Sequence, residues 1–128
     1  VVTVKNHIPS SKHDLAAVER ARLRGFPALD HDIGTLLTWV QDANWPVAPV
    51  VADLLVTAGP AIVPEVRKIL RSDDGMWKYW VIQLVVARLP DALISRIVAD
   101  LEQLRQHPTQ DDKLCEVDKA AAALLQGR

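Results

Sequence analysis

The chain has 128 residues, of which 49% are hydrophobic and 24% are charged, and its formal net charge is −1. This length and composition fit one globular domain with its own core and argue against a disordered chain. A near-neutral chain also lacks the basic character that holds a protein on phosphate backbones, so we expect no nucleic-acid partner.

The cysteine content and the lack of long apolar runs bear on the location of the chain. Its single cysteine, Cys115, cannot form an internal disulfide or build a thiolate metal cluster. No apolar run reaches the roughly 18 residues of a membrane-spanning helix, and the first residues lack the features of a signal peptide. We therefore expect a cytoplasmic protein without membrane contact, metal or cofactor. Because the sequence starts at Val1 rather than Met, a removed signal peptide stays open as the alternative.

Residues 1–10 are predicted to be an irregular lead-in, and the Ser11-x-x-Asp14 capping signal starts the first helix, which ends at Gly25. Similar Asp, Asn and Pro starts, Gly stops and apolar residues at helical spacing follow along the chain. They predict seven helices, over about residues 11–25, 30–41, 46–59, 60–71, 74–89, 91–106 and 110–125. Residues 126–128 are predicted to be a loose tail.

The predicted architecture is all-α and forms a single domain over residues 1–128. Asp42-Ala-Asn-Trp45 can be placed over Asp74-Gly-Met-Trp77, each before an apolar helix, which is typical of a repeat. Such a period predicts a HEAT-like stack of about three antiparallel helical hairpins plus an N-terminal helix, an α-α superhelix.

In such a stack the turns inside the hairpins emerge along one side, which we call the turn edge. Its predicted contact residues are Asp42, Asn44, Trp45, Asp73, Asp74, Trp77, Tyr79 and Asp112, with His107 and Asp111 beside them. One interpretation is that the acidic and amide side chains only cap helices while the Trp rings close the core. The other is that aromatic anchors beside carboxylates receive a basic segment of a partner protein. Both can hold together.

Two other features of the sequence could support chemistry, the His31-Asp32 pair and Cys115. His31-Asp32 is similar to the His-Asp pair of metal phosphohydrolases, but further ligands lack a matching context, so a surface pair at the start of a helix is favoured. Acidic neighbours are expected to raise the pKa of Cys115, which argues against a nucleophile. No residue is assigned a catalytic role.

Basic residues fall in two groups, Arg20, Arg22 and Arg24 in the first predicted helix and Arg67, Lys68 and Arg71 in the fourth. They could contact phosphates if they shared a face, but solvated helix surface is the favoured interpretation. Trp77, Tyr79 and Trp80 cannot all lie on one narrow helical stripe, so at least one is expected to be exposed, and Tyr79 is the one we select.

The strings Trp39-Val-Gln-Asp-Ala-Asn-Trp-Pro-Val-Ala48 and Ser72-Asp-Asp-Gly-Met-Trp-Lys-Tyr-Trp80 are specific, and Pro108-Thr109 before Glu116-Val-Asp118 accompanies them. Together they resemble a bacterial family of domains of unknown function with HEAT-like helical hairpins, over about Ile8 to Leu125. The resemblance implies the fold and implies no reaction, cofactor or catalytic residue.

The sequence therefore favours a non-enzymatic protein–protein interaction module, a monomer or weak dimer that binds a partner with a basic segment. A narrower hypothesis is an immunity protein that binds and blocks a bacterial toxin. A third, from another class, is a hydrolase or glycosylase-like enzyme on a helical-repeat scaffold. That enzyme would need a catalytic aspartate such as Asp42 or Asp74.

Overall fold

A computed structural model describes residues 6–127 of the chain. The parts of the predicted lead-in and tail at residues 1–5 and at 128 lie outside the described residues. The α-helices are α1 (Leu15–Arg24), α2 (Ile33–Leu37), α3 (Val47–Leu55), α4 (Ile62–Leu70), α5 (Gly75–Leu84), α6 (Asp91–Ile94), α7 (Val98–Gln106), α8 (Gln110–Leu114) and α9 (Val117–Gln126). Short 3-10 segments lie at Asp30–Asp32, Thr38–Val40, Gly59–Ala61 and Val86–Arg88.

The all-α prediction is confirmed, since the described part of the chain contains no strand. α2 contacts α3 and α4, and α4 contacts α5 and α7. α9 contacts both α5 and α7, while α1 contacts α3. Most of these helices therefore pack against more than one other helix. The HEAT-like arrangement of the hairpins stays a prediction. Over residues 6–127 no helix has the length and apolar character needed to cross a membrane.

The helices pack through an aliphatic core. Its largest fully buried side chains are Leu29, Ile33, Leu36, Leu37, Leu55, Ile62, Ile82, Ile97 and Leu101, with Val18, Val40 and Val47. Removing each large side chain from water contributes roughly 1.5–3 kcal/mol, so these contacts supply much of the stabilisation of the fold. Trp39, Trp45, Trp77 and Tyr79 are partly buried and pack against this core.

The sixth predicted helix is not continuous. The chain leaves helical geometry between α6 and α7, where Arg96 N–H donates to Leu93 O and Ile97 N–H to Ile94 O. This three-residue spacing is tighter than that of an α-helix, and it buries Leu93, Ile94 and Ile97 together. Apolar spacing alone does not distinguish this turn from an uninterrupted helix.

The seventh predicted helix is also divided. Cys115 follows α8, and Glu116 adopts a left-handed conformation with φ of 62° before α9 begins. A non-glycine residue in this region costs about 1–2 kcal/mol. The change of direction buries Val117, Ala120 and Ala121 of α9. Cys115 consequently lies between two helices and is half-buried.

Candidate functional site

Two hydrogen bonds connect the start of α5 to neighbouring helices. Trp77 Nε1–H donates to the backbone carbonyl of Leu37 at 3.0 Å, which joins the start of α5 to the end of α2. Gly75 N–H donates to the Asp111 carboxylate at 2.8 Å, which joins the start of α5 to α8. The start of α5 thus lies between the end of α2 and α8.

Two of the predicted contact residues bind the backbone of their own turns. Asp74 is the N-cap of α5, and its side chain accepts the Trp77 N–H at 3.0 Å. Asp42 accepts the Asn44 N–H at 2.8 Å. Asn44 itself is exposed and does not cap α3, because Pro46 occupies the N-cap without a side-chain bond. The capping interpretation therefore describes Asp74, whereas Asp42 stabilises its own turn and caps no helix.

The cap at Asp74 gives a direct prediction for stability. Asp74→Ala removes the acceptor of the Trp77 N–H and is expected to lower the free energy of unfolding by about 1 kcal/mol. Asp74→Asn keeps a side-chain oxygen at the N-cap and is expected to cost much less. Urea denaturation followed by circular dichroism measures both. Equal losses for the two variants would show that the carboxylate charge, and not the cap, is what stabilises this turn.

Asp112 is not part of an exposed surface, contrary to the prediction. Its side chain is 2% exposed, and one carboxylate oxygen lies 2.5 Å from Nζ of Lys78, which is itself 3% exposed. The other oxygen accepts the Thr109 N–H, and Thr109 Oγ1 accepts the Asp112 N–H, so the two residues form a capping box. The pair joins α5 to α8 from the inside, and little of either side chain is exposed.

The aromatic residues of the turn edge are half-buried. Trp45 packs against Trp39 with ring centroids 5.9 Å apart, and Trp77 is held by its bond to Leu37. Tyr79, which was predicted to be exposed, packs against the core and contacts Trp80 edge-on at 4.9 Å. Trp77, Tyr79 and Trp80 are all half-buried, and the fully buried residue among them is Lys78.

A pocket of about 270 Å³ lies beside the Lys78–Asp112 pair, between the end of α4, the end of α7 and the start of α8. We call it the polar pocket. Its polar lining consists of Arg71, Ser72, Asp73, Lys78, Asp100, Gln103, His107, Thr109 and Asp112, with Leu70 and Leu104 as the apolar part. Asp73 is exposed at this pocket, as are Gln103 and His107. Sequence reasoning grouped Asp73, His107 and Asp112 but missed Lys78, Asp100 and Gln103.

The half-buried thiol of Cys115 lies near this edge. Partial burial raises its pKa above the ordinary value, and the carboxylates of Asp111, Asp74 and Asp112 raise the pKa further. The direction agrees with the sequence analysis, although the carboxylates responsible come from the turn edge and not from the residues next to Cys115 in the chain. A raised pKa leaves little thiolate at neutral pH.

The His31-Asp32 pair differs from the surface pair expected from sequence. His31 is exposed, but Asp32 is buried, and its carboxylate lies 2.8 Å from Nε2 of the buried His7. The contact attaches the lead-in to the 3-10 segment before α2. Within the part of the chain that the structure describes, no three His, Cys, Asp or Glu side chains converge to hold a metal ion.

Comparison with known proteins adds a family to this geometry. No curated protein is similar enough to count as a match. A family model described as a domain of unknown function, DUF5071, matches residues 7–125, which is nearly the whole chain. This agrees with the resemblance seen in the two Trp-containing strings. The chain belongs to the DUF5071 family of domains of unknown function.

Proposed function

We propose that this chain is a non-enzymatic module that binds another protein at the polar pocket, with Asp73 as the main exposed contact. The observation that supports this most is the buried connection behind the pocket. The Lys78–Asp112 pair and the Gly75–Asp111 bond hold the start of α5 against α8. A surface held in this way loses little conformational entropy when a partner binds.

The charges around the pocket favour a basic group on the partner. Three carboxylates, Asp73, Asp100 and Asp112, and two cations, Arg71 and Lys78, contribute to the lining. Asp112 is paired with Lys78, and Asp100 is bound by two arginines. Asp73 is exposed at the pocket and is available to a lysine or arginine of the partner, in agreement with the basic segment expected from sequence.

The enzyme hypothesis has weaker support from the same residues. Asp42 and Asp74, the two candidates for its catalytic aspartate, both accept hydrogen bonds from backbone N–H groups in their own turns. A carboxylate held in this way serves the turn, whereas a general base needs to reach a substrate proton. We therefore propose binding rather than catalysis, and a cytoplasmic location suits a chain with one unpaired thiol.

A pull-down from the native host tests the proposal. Wild type is compared with Asp73→Lys, which reverses the exposed charge and leaves the Asp74 cap in place. Asp91→Lys is the matched control, because this substitution changes the charge by the same amount. Asp91 is exposed and does not line the pocket. Circular dichroism checks that both variants stay helical.

We expect a partner that wild type and Asp91→Lys retain and Asp73→Lys loses. A partner retained equally by all three proteins would place the binding surface elsewhere. The immunity hypothesis is the same proposal with a toxin as the partner. In that case wild type, but not Asp73→Lys, should inhibit the activity of the captured protein.

A further inference from the structure

The basic residues of α4 and Arg71, which caps its end, share one exposed face. Pro64, Arg67, Lys68 and Arg71 follow the i, i+3, i+4, i+7 spacing of a helical face and together line a groove of about 240 Å³. We call this set the arginine face. The sequence left open whether Arg67, Lys68 and Arg71 lie together, and the structure shows that they do.

A buried carboxylate orients the two arginines. Arg67 Nε–H and Arg71 Nε–H each donate to a different oxygen of Asp100, both at 2.8 Å. The Asp100 side chain is 9% exposed, whereas those of Arg67 and Arg71 are 40% and 60% exposed. Each guanidinium has five N–H donors, so the Nη groups remain for a ligand while Nε is held from behind. This arrangement positions both arginines before a ligand arrives.

The local charge indicates the class of ligand. Arg67, Lys68 and Arg71 supply three positive charges, and Asp100 and Glu65, which pairs with Lys68, supply two negative charges. The face therefore carries one net positive charge. This matches a carboxylate with one negative charge better than a phosphate dianion, and it is far short of what a nucleic acid needs.

We infer that the arginine face binds a carboxylate side chain from an acidic peptide segment of the partner protein. The inference rests on the proposed function and makes it more specific, because Arg71 lines both this face and the polar pocket. The partner segment then presents an acidic side chain to Arg67 and Arg71 and a basic side chain to Asp73. Charges of both signs fix the direction in which the segment lies.

Nuclear magnetic resonance of the arginine Nε–H groups tests this inference without the natural partner. The ¹⁵N-labelled chain is titrated with a hexaglutamate peptide and, separately, with inorganic phosphate at matched ionic strength. We expect saturable shifts of the Arg67 and Arg71 Nε–H signals with the peptide and a weaker response to phosphate. Lys68→Glu should weaken peptide binding about three- to tenfold, since it reverses one surface charge and does not touch Asp100.

Lys113→Glu is the matched control, because Lys113 is exposed on α8 and does not line the arginine face. Its affinity for the peptide should equal that of wild type. The inference is wrong if the two Nε–H signals do not move, if Lys113→Glu weakens binding as much as Lys68→Glu, or if phosphate binds more tightly than the peptide. None of these results depends on Asp73. A failure of the inference about the arginine face can therefore be distinguished from a failure of the proposed function in the pull-down.

Discussion

Replacing Lys78 by Met is expected to lower the free energy of unfolding by about 3–5 kcal/mol. Methionine fills a similar volume but leaves the Asp112 carboxylate buried without its cation. An uncompensated buried charge is among the most expensive defects a fold can have. Urea denaturation of the wild type and the variant, followed by circular dichroism, measures the loss.

A second substitution isolates the cause of that loss. Asp112→Asn keeps an oxygen that can accept the Thr109 N–H of the capping box but removes the charge. The double variant Lys78→Met, Asp112→Asn should therefore be more stable than Lys78→Met alone. The two side chains would not interact if Asp112→Asn lowered the free energy of unfolding by the same amount in the Lys78→Met variant as in wild type. That additive result would contradict the structure.

Gly75→Ala is expected to cost about 1–3 kcal/mol, because an added Cβ has no room at this position. It would lie 2.6 Å from an Asp111 carboxylate oxygen, 3.0 Å from the Asp111 backbone oxygen and 3.0 Å from Cys115 Sγ. The side-chain oxygen can move, but the backbone oxygen cannot move without shifting α8. The same clash also weakens the bond from Gly75 N–H to Asp111. Thermal and urea unfolding report the change.

Gly34→Ala provides the control for a glycine inside a helix. The nearest atoms to its added Cβ belong to the Glu65 side chain, with Oε2 at 2.9 Å, and that side chain can turn away. Alanine also reduces the freedom of the unfolded chain, so the change should be neutral or stabilising by up to about 1 kcal/mol. Equal losses at Gly34 and Gly75 would mean that contact with α8 is not the reason for the effect.

The features that sequence predicts well are local. The cap at Asp74 lies at the start of a helix, as its spacing indicates. At the first helix the capping signal is close but misplaced, because Asp14 is itself the N-cap of α1 and the helix begins at Leu15 rather than at Ser11. Apolar residues at helical spacing predict the buried faces of α3 and α4 for the same reason. Continuity fails in the fifth predicted helix, where α5 ends at Leu84 before the 3-10 segment Val86–Arg88. It also fails in the last two predicted helices, since a tight turn and a left-handed Glu116 keep the apolar residues in a similar spacing.

The polar pocket was harder to predict because its buried ions pair across long stretches of chain. Lysine is almost never fully buried without a partner, and Asp112, which pairs with Lys78, lies 34 positions later in the chain. One signal was present, since Lys78 occupies the same face of α5 as Val81 and Ile82. The Thr109-x-x-Asp112 pattern was a second signal, because it is a capping box and places Asp112 against the backbone.

Asp100 and Asp32 show the same limitation. Asp100 lies between the buried residues Ile97 and Leu101, and Asp32 precedes the buried Ile33. Their carboxylates are bound by Arg67 and Arg71 in one case and by His7 in the other. An acidic residue beside an apolar stripe can be solvated or buried, and only the position of a distant partner decides between them.

The central claim, that the polar pocket and the surface around it bind another protein, is tested most directly by hydrogen exchange on the complex with the captured partner. The amides of residues 71–79 and 103–112 should exchange more slowly in the complex than in the free chain, while those of α1 and α3 should be unchanged. Protection confined to α1 and α3, with residues 71–79 and 103–112 unaffected, would contradict the claim.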